Sequence, residues 1–300
     1  MTLYNHSDRN KRKTFFLFSS FLIFTILIAY FFSIALADSR ILYVVIILSS
    51  FSSIISYWYS DKIVLRMNKA HKVEFEDNKD LYRLVENLCI SVGLPVPQIY
   101  IINDPSPNAF ATGRNPKNSV IAFTTGLLEK LEKSELEGVI AHELSHIKNY
   151  DILLATISTV LVGMIVFLAD WFRNFAFYGR RSSDSDNNNG AARLIIMIIA
   201  LVLSILAPLF AYMMQFAISR KREFLADSDG VLMTRYPEGL ARALEKISAD
   251  PNEMKTASSA TAHLYISSPF REKKKGFFAK AFMSHPPVEE RIKALREIEI

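Results

Sequence analysis

Two uncharged apolar runs, Phe15 to Ala37 and Ile41 to Tyr59, are separated by only Asp38, Ser39 and Arg40. At 23 and 19 residues, each is long enough to cross about 30 Å of hydrocarbon as a helix. A three-residue link permits only a tight turn, so the sequence predicts a hairpin that is apolar on its outside. Ala35-Leu36-Ala37 resembles a signal-cleavage site, but the run before it exceeds the usual signal core of about 7 to 15 residues, which favours an uncleaved anchor.

Half of the 300 residues are apolar and 22% are charged, with a mean hydropathy of +0.18. That balance fits a membrane protein carrying a substantial polar domain. The net charge of +5 arises beside apolar segments and in no nucleic-acid motif, so the expected partner is a lipid bilayer and no nucleic acid is expected. The single cysteine, Cys89, excludes an internal disulfide and a multi-cysteine metal site. Its apolar helical neighbours mark it as a core residue.

Arg9, Lys11, Arg12 and Lys13 precede the first run, whereas the hairpin tip holds only Arg40. The positive-inside rule then places the N-terminus, and residues 60 to 150 after two crossings, in the cytoplasm. A second apolar pair follows, Ile152 to Ala169 and Leu194 to Ile218, joined through a flexible run at residues 182–190. Pro208 within it, Asp170 beside it and four arginines in its connection leave open whether it spans the membrane or lines a cavity. The expected segments are 1–60 for the first hairpin, 61–151 for a metal-helix domain, 152–218 for the second hairpin and 219–300 for the remainder of that domain.

Val139-Ile-Ala-His-Glu-Leu-Ser-His-Ile147 contains H-E-x-x-H. On a helix, His142 and His146 project from one face and can bind one metal ion, with Glu143 beside its open position. The helix is predicted independently by Leu136, Val139, Ile140, Leu144 and Ile147 at helical spacing and by a capping box of Ser134 and Glu137. The alternative is a surface helix carrying two unrelated histidines. Downstream, Ser219-Arg-Lys-Arg-Glu-Phe-Leu-Ala-Asp227 offers Glu223 as a third zinc ligand, and Asp227, one turn on, as an acceptor that orients a liganding imidazole. The alternative there is a basic cluster, Arg220 to Arg222, meeting lipid headgroups.

Gln98–Asn103, Asn108–Thr112 and Ser119–Thr125 are predicted strands of a small sheet, which in the plainer alternative is an ordinary antiparallel sheet supporting the helix. Asn108, Ala109, Phe110 and Ala111 form the candidate edge at which a peptide adds as a strand; an ordinary supporting strand is the alternative. Residues 252–284 are expected to form a mobile segment lying on the membrane surface and gating the cleft, with a solvated insertion as the alternative. His285, followed by two prolines, is a candidate transition-state stabiliser, while His6, His71 and His263 are expected to be structural. Val288, Ile292 and Leu295 outline a final amphipathic helix. With one Zn²⁺ bound by His142, His146 and Glu223, Glu143 serves as general base in peptide hydrolysis.

The predicted fold class is therefore an α+β membrane protein, mainly helical, with four hydrophobic helices in two hairpins and a zincin-like cytoplasmic domain holding a small β-sheet. Together with Pro107-Asn-Ala-Phe-Ala-Thr-Gly113 and Ser284-His-Pro-Pro-Val-Glu-Glu-Arg291, these features resemble the HtpX family of membrane zinc endopeptidases, relatives of the type I CaaX prenyl proteases. The resemblance implies ligation by His142, His146 and Glu223 with Glu143 as base. It also implies membrane-protein or unfolded polypeptide substrates, a role in membrane protein quality control under stress, and an active site facing the cytoplasm. A processing protease of lipidated C-termini, or a metal-stabilised scaffold without catalysis, are the competing readings.

Overall fold

The computed structural model describes residues 3–35, 39–161, 164, 198, 220–258, 260–270 and 286–299. Both N-terminal apolar runs are helical, α1 (Leu3–Ala35) and α2 (Arg40–Met67), and they pack side by side. No glycine or proline interrupts either helix. Their hydroxyls turn back onto their own backbones, as with Thr25 Oγ1 to Phe21 O at 3.0 Å and Ser53 Oγ to Ser49 O at 2.7 Å, a local satisfaction that suits apolar surroundings. Among the described residues no single helix passes as long and apolar enough to cross a membrane. Leu42–Phe51 and Ser53–Met67, bent by 40°, pass together. Large apolar side chains nevertheless cover the outside of this hairpin, including Phe15, Ile47 and Phe51.

The second apolar pair is described only at its start, as α6 (Asp151–Leu161). Ile152, Leu154, Ile157 and Leu161 of α6 are buried within the protein, and Ile152 at its start belongs to the core of the polar domain. Apart from the single positions Met164 and Ile198, the rest of that pair, with the 182–190 loop, lies outside the described residues.

Four strands, β1 (Ala70–Lys72), β2 (Gln98–Ile102), β3 (Ala109–Asn115) and β4 (Asn118–Thr124), form a sheet in the order β1-β2-β4-β3. β2 and β4 are parallel and the other two pairings antiparallel, so the sheet is mixed and not the wholly antiparallel one of the alternative reading. The link between β2 and β3 carries the chain past the place of β4 before the β3–β4 hairpin reverses it. β4 is thereby seated beside β2 in the same direction, and β3 becomes an edge.

Helix α5 (Lys133–Lys148) crosses beneath the sheet. It buries Val139, Ile140, Leu144 and Ile147 with Ile99, Ile121 and Phe123 of the sheet, Val85 and Cys89 of α3 (Lys79–Val92), and Leu244. The helix begins earlier than the sequence suggested. The capping box is formed by Glu132 and Glu135, not by Ser134 and Glu137. After α4 (Thr125–Lys130), Leu131 and Glu132 are the last extended residues, so Ser134 is already inside the helix and its hydroxyl cannot serve as the cap. Helices α7 (Arg220–Thr234), α8 (Pro237–Ala249) and α9 (Val288–Arg296) complete the domain.

Residues 252–270 are packed where described, which corrects the expectation of a mobile segment for that part. Met254, Tyr265 and Ile266 are buried, and the buried Asp104 carboxylate accepts from the Lys255 and Thr256 amides and the Thr256 hydroxyl. The remainder, residues 271–284, and His285 lie outside the described residues.

Candidate active site

The register of α7 against α5 brings the site together. Asp229 accepts from Ser145 Oγ and Asn149 Nδ2, both at 3.0 Å. Beside them the helices approach so closely that a Cβ on Gly230 would lie 3.1 Å from the His142 backbone nitrogen, a contact only glycine leaves comfortable. With the helices locked there, Glu223 faces both histidines. His142 Nε2 and His146 Nε2 are 3.1 Å apart. Glu223 Oε2 is 3.8 Å from the first and Oε1 3.6 Å from the second. Donors about 2.0 to 2.2 Å from a tetrahedral zinc stand roughly 3.3 Å from one another, so this triangle has the size a metal requires. His142, His146 and Glu223 are the group among the described residues whose ligand atoms converge in this way.

Each imidazole is aimed by a carboxylate behind it. His142 Nδ1 lies 2.9 Å from Asp227 Oδ1, as expected from sequence, and His146 Nδ1 lies 3.0 Å from Asp151 Oδ2. Placing the proton on Nδ1 directs the Nε2 lone pair towards Glu223 in both rings. The carboxylates are themselves held. Arg291, fully buried, donates to both oxygens of Asp227 at 2.9 and 2.7 Å and to the Ile266 carbonyl at 2.9 Å. Arg222 donates to Asp151 Oδ1 at 2.8 Å.

The two rings titrate in opposite directions. Burial pushes the His142 imidazole down to about 4 and the Arg291 cation adds to the shift, with the Asp227 hydrogen bond opposing. Burial also disfavours the charged form of His146, but the Asp151 hydrogen bond and the charges of Glu223 and Asp151 outweigh it, and its pKa rises to about 9. Without metal, His146 is thus charged over a pH range in which His142 is neutral.

Glu143 borders a cavity of ≈ 30 Å³ that is also lined by Ala111, His142, His146, Glu223, His263 and Tyr265, which is room for one or two waters. Its Oε1 is buried without a hydrogen-bond partner among the described residues. Burial, reinforced by the Glu223 charge, raises the Glu143 carboxyl to about 7, against the opposing effects of His146 and the Ala111 amide.

The predicted peptide strand is the sheet edge, and its four residues divide by the alternation of β structure. Ala111 faces the cavity, whereas Phe110 is turned to the opposite face, edge-on to Tyr265 at 5.1 Å. Asn108 and Ala109 already bind the chain's own backbone. Ile266 N–H donates to Ala109 O at 2.9 Å, and the Asn108 amide bonds both the carbonyl and the N–H of Ser267. Residues 263–266 therefore form one wall of the cavity. His263, expected to be structural, lines it with Nε2 3.2 Å from Thr159 Oγ1.

Sequence reading gave no role to Asp151, Arg222 or Arg291. Arg291 had a signal: it stands three residues after Val288 and four before Leu295, on the apolar face of its helix, where a charge must be paired. Arg222 is buried against Asp151, not spread on headgroups.

The sequence profile of Peptidase family M48 matches residues 76–299. The chain is 44% identical over 297 residues to a protease HtpX homologue of Dictyoglomus thermophilum, covering 98% of this chain and 94% of that one. It is 41% identical to a protease HtpX homologue of Tropheryma whipplei, covering 99% and 98%. The fold is similar to the crystal structure of S. mikatae Ste24p, with a TM-score of 0.51 and 19% identity, over 98% of this chain and 66% of that one.

Proposed function

This chain belongs to peptidase family M48, with HtpX-type proteases as its relatives, and from that premise we propose that it is a membrane-anchored, zinc-dependent endopeptidase. The observation that carries the reading is the convergence of His142, His146 and Glu223 on one point beside the unpartnered carboxylate oxygen of Glu143. Three protein ligands with an adjacent base are the donor set of a catalytic zinc; a structural site closes with a fourth protein ligand. Zinc, when bound, supplies the charge that acidifies a water and polarises the scissile carbonyl.

The chain's own groups do the rest. Glu143 exchanges protons near neutrality, so it takes a proton from the attacking water and delivers it to the leaving amine. Asp227 and Asp151 keep both imidazoles in the ligating tautomer. An extended peptide lies along the outer edge of β3 at Ala111, where backbone pairing is indifferent to side chain, as suits unfolded or damaged membrane-protein substrates. His285 remains the candidate for holding the carbonyl oxygen in the transition state.

The exposed apolar faces of α1 and α2 support insertion in a bilayer. Arg9, Lys11, Arg12 and Lys13 favour the cytoplasmic side for the site, and the resemblance to HtpX-type proteases favours a part in membrane protein quality control. The test is cleavage of casein and of a membrane protein by detergent-purified protein with zinc, with bound metal quantified. Glu143→Gln should retain zinc and lose at least about 100-fold in rate, while Glu223→Ala should lose both. Stoichiometric zinc without cleavage that depends on Glu143 would replace this reading with a metal-stabilised scaffold.

A further inference from the structure

The carboxylates behind the two histidines are secured from opposite parts of the molecule. Asp227 is held by Arg291 of α9. Asp151 is held partly from α1, through Asn10, a residue the sequence offers no reason to notice. Asp8, Arg9, Lys11 and Arg12 around it are exposed, yet Asn10 is 3% exposed.

All the polarity of its amide is used. Nδ2 donates to Asp151 Oδ1 at 2.6 Å and to the Asn149 carbonyl at 2.9 Å, and Oδ1 accepts from Arg222 Nη1 at 3.1 Å. Flipping the amide would turn its NH₂ towards a guanidinium and its oxygen towards a carboxylate, so one orientation alone satisfies the site. Arg222 Nη1 also reaches Asp151 Oδ1, closing a triangle of Asn10, Arg222 and Asp151. One residue along α1, Lys11 Nζ sits 4.4 Å from the centroid of the Tyr150 ring. Tyr150 has φ +58°, a left-handed conformation that is unfavourable for a residue with a Cβ. That conformation ends α5 and lets Asp151 point back at His146. The turn that aims His146 is therefore gripped by α1 on both sides of the strained residue.

We propose that Asn10 is a positioning residue for the metal centre, coupling the seating of α1 to metal affinity through Asp151 and His146. The inference rests on reading His142, His146 and Glu223 as metal ligands. Removing the amide frees one side of Asp151, and with it the orientation of the His146 ring. Carboxylate partners behind liganding histidines are typically worth 10- to 100-fold in metal affinity.

The experiment is zinc competition against a chromophoric chelator, using the full chain in detergent and circular dichroism of each variant. Asn10→Ala should weaken zinc by about tenfold or more. Asn10→Asp keeps the shape but replaces the donor to Asp151 with an acceptor, and should weaken zinc at least as much; it decides the matter if Asn10→Ala does not fold. In an Asp151→Asn background, Asn10→Ala should add little further loss, because the route is already cut. Wild-type affinity in Asn10→Asp, or losses that multiply in the double variant, would overturn the coupling. Zinc held equally by wild type and Glu223→Ala would instead overturn the ligand reading, and the proposal with it.

Discussion

The metal clasp between α5, α7 and α9 and the α1–α2 hairpin solve opposite problems with opposite residues. In the clasp, Glu223, Asp227 and Arg291 are at most 3% exposed, and Asp227 and Arg291 are tolerable there because each faces the other at hydrogen-bond distance. In the hairpin, Phe15 is 74% and Ile47 67% exposed, and hydroxyls such as those of Thr25 and Ser53 bond within their own helices, while Asn10 of α1 reaches into the polar domain. One region gains its order from specific charge pairs inside protein. The other leaves its apolar surface to whatever medium surrounds it, so the exposed apolar side chains on that surface individually matter little to the polar domain.

Substitutions can break that contrast or sharpen it. The largest effect is expected for Arg291→Met, which strands the Asp227 carboxylate in the interior and should cost about 3 to 5 kcal/mol in urea unfolding of the metal-free protein. Next comes pH. Zinc binding must expel the proton that His146 holds up to about 9, so apparent affinity should climb roughly tenfold per unit from pH 7 to 9 and level off above. In the metal-free protein the sign reverses: the stability contributed by the His146 cation is fully present below its ordinary value near 6.5 and is lost as pH rises through about 9. A flat affinity over that range would show that the site is not protonated as described.

Smaller again is Gly138→Ala, because the added Cβ would lie 2.7 Å from the Leu240 backbone nitrogen. Thermal melts should show α8 pushed from α5 at a cost of about 1 to 3 kcal/mol. The smallest effect is expected for Ile47→Ala, at under about 0.5 kcal/mol on melting of the polar domain. Leu144→Ala, the same kind of truncation inside the core, should cost about 2 to 5 kcal/mol. Equal costs for the two would erase the distinction between the regions.

How far the sequence could be read follows the same division. His142, His146 and Glu143 are encoded within one helical turn, and Asp227 follows Glu223 by another, so local periodicity suffices to find them. Arg291 was within reach through the apolar face it shares with Val288 and Leu295. Asp151 was not, because its approach to His146 depends on the left-handed turn at Tyr150, a conformation no tyrosine advertises. Asn10 lies 141 residues from Asp151 and 212 from Arg222 in sequence, and nothing local implies such a contact. The mixed sheet escaped for a related reason, since strand order is decided by where a link passes and not by the residues of the strands.

Arg291 lies 149 residues downstream of His142, and this sets an order of events during synthesis. A growing polypeptide carries the histidine pair, and even Glu223, well before the arginine that fixes Asp227 behind His142. On the proposed ligation, α7 can dock against α5 before Arg291 is present to hold Asp227, so full metal affinity awaits the docking of α9.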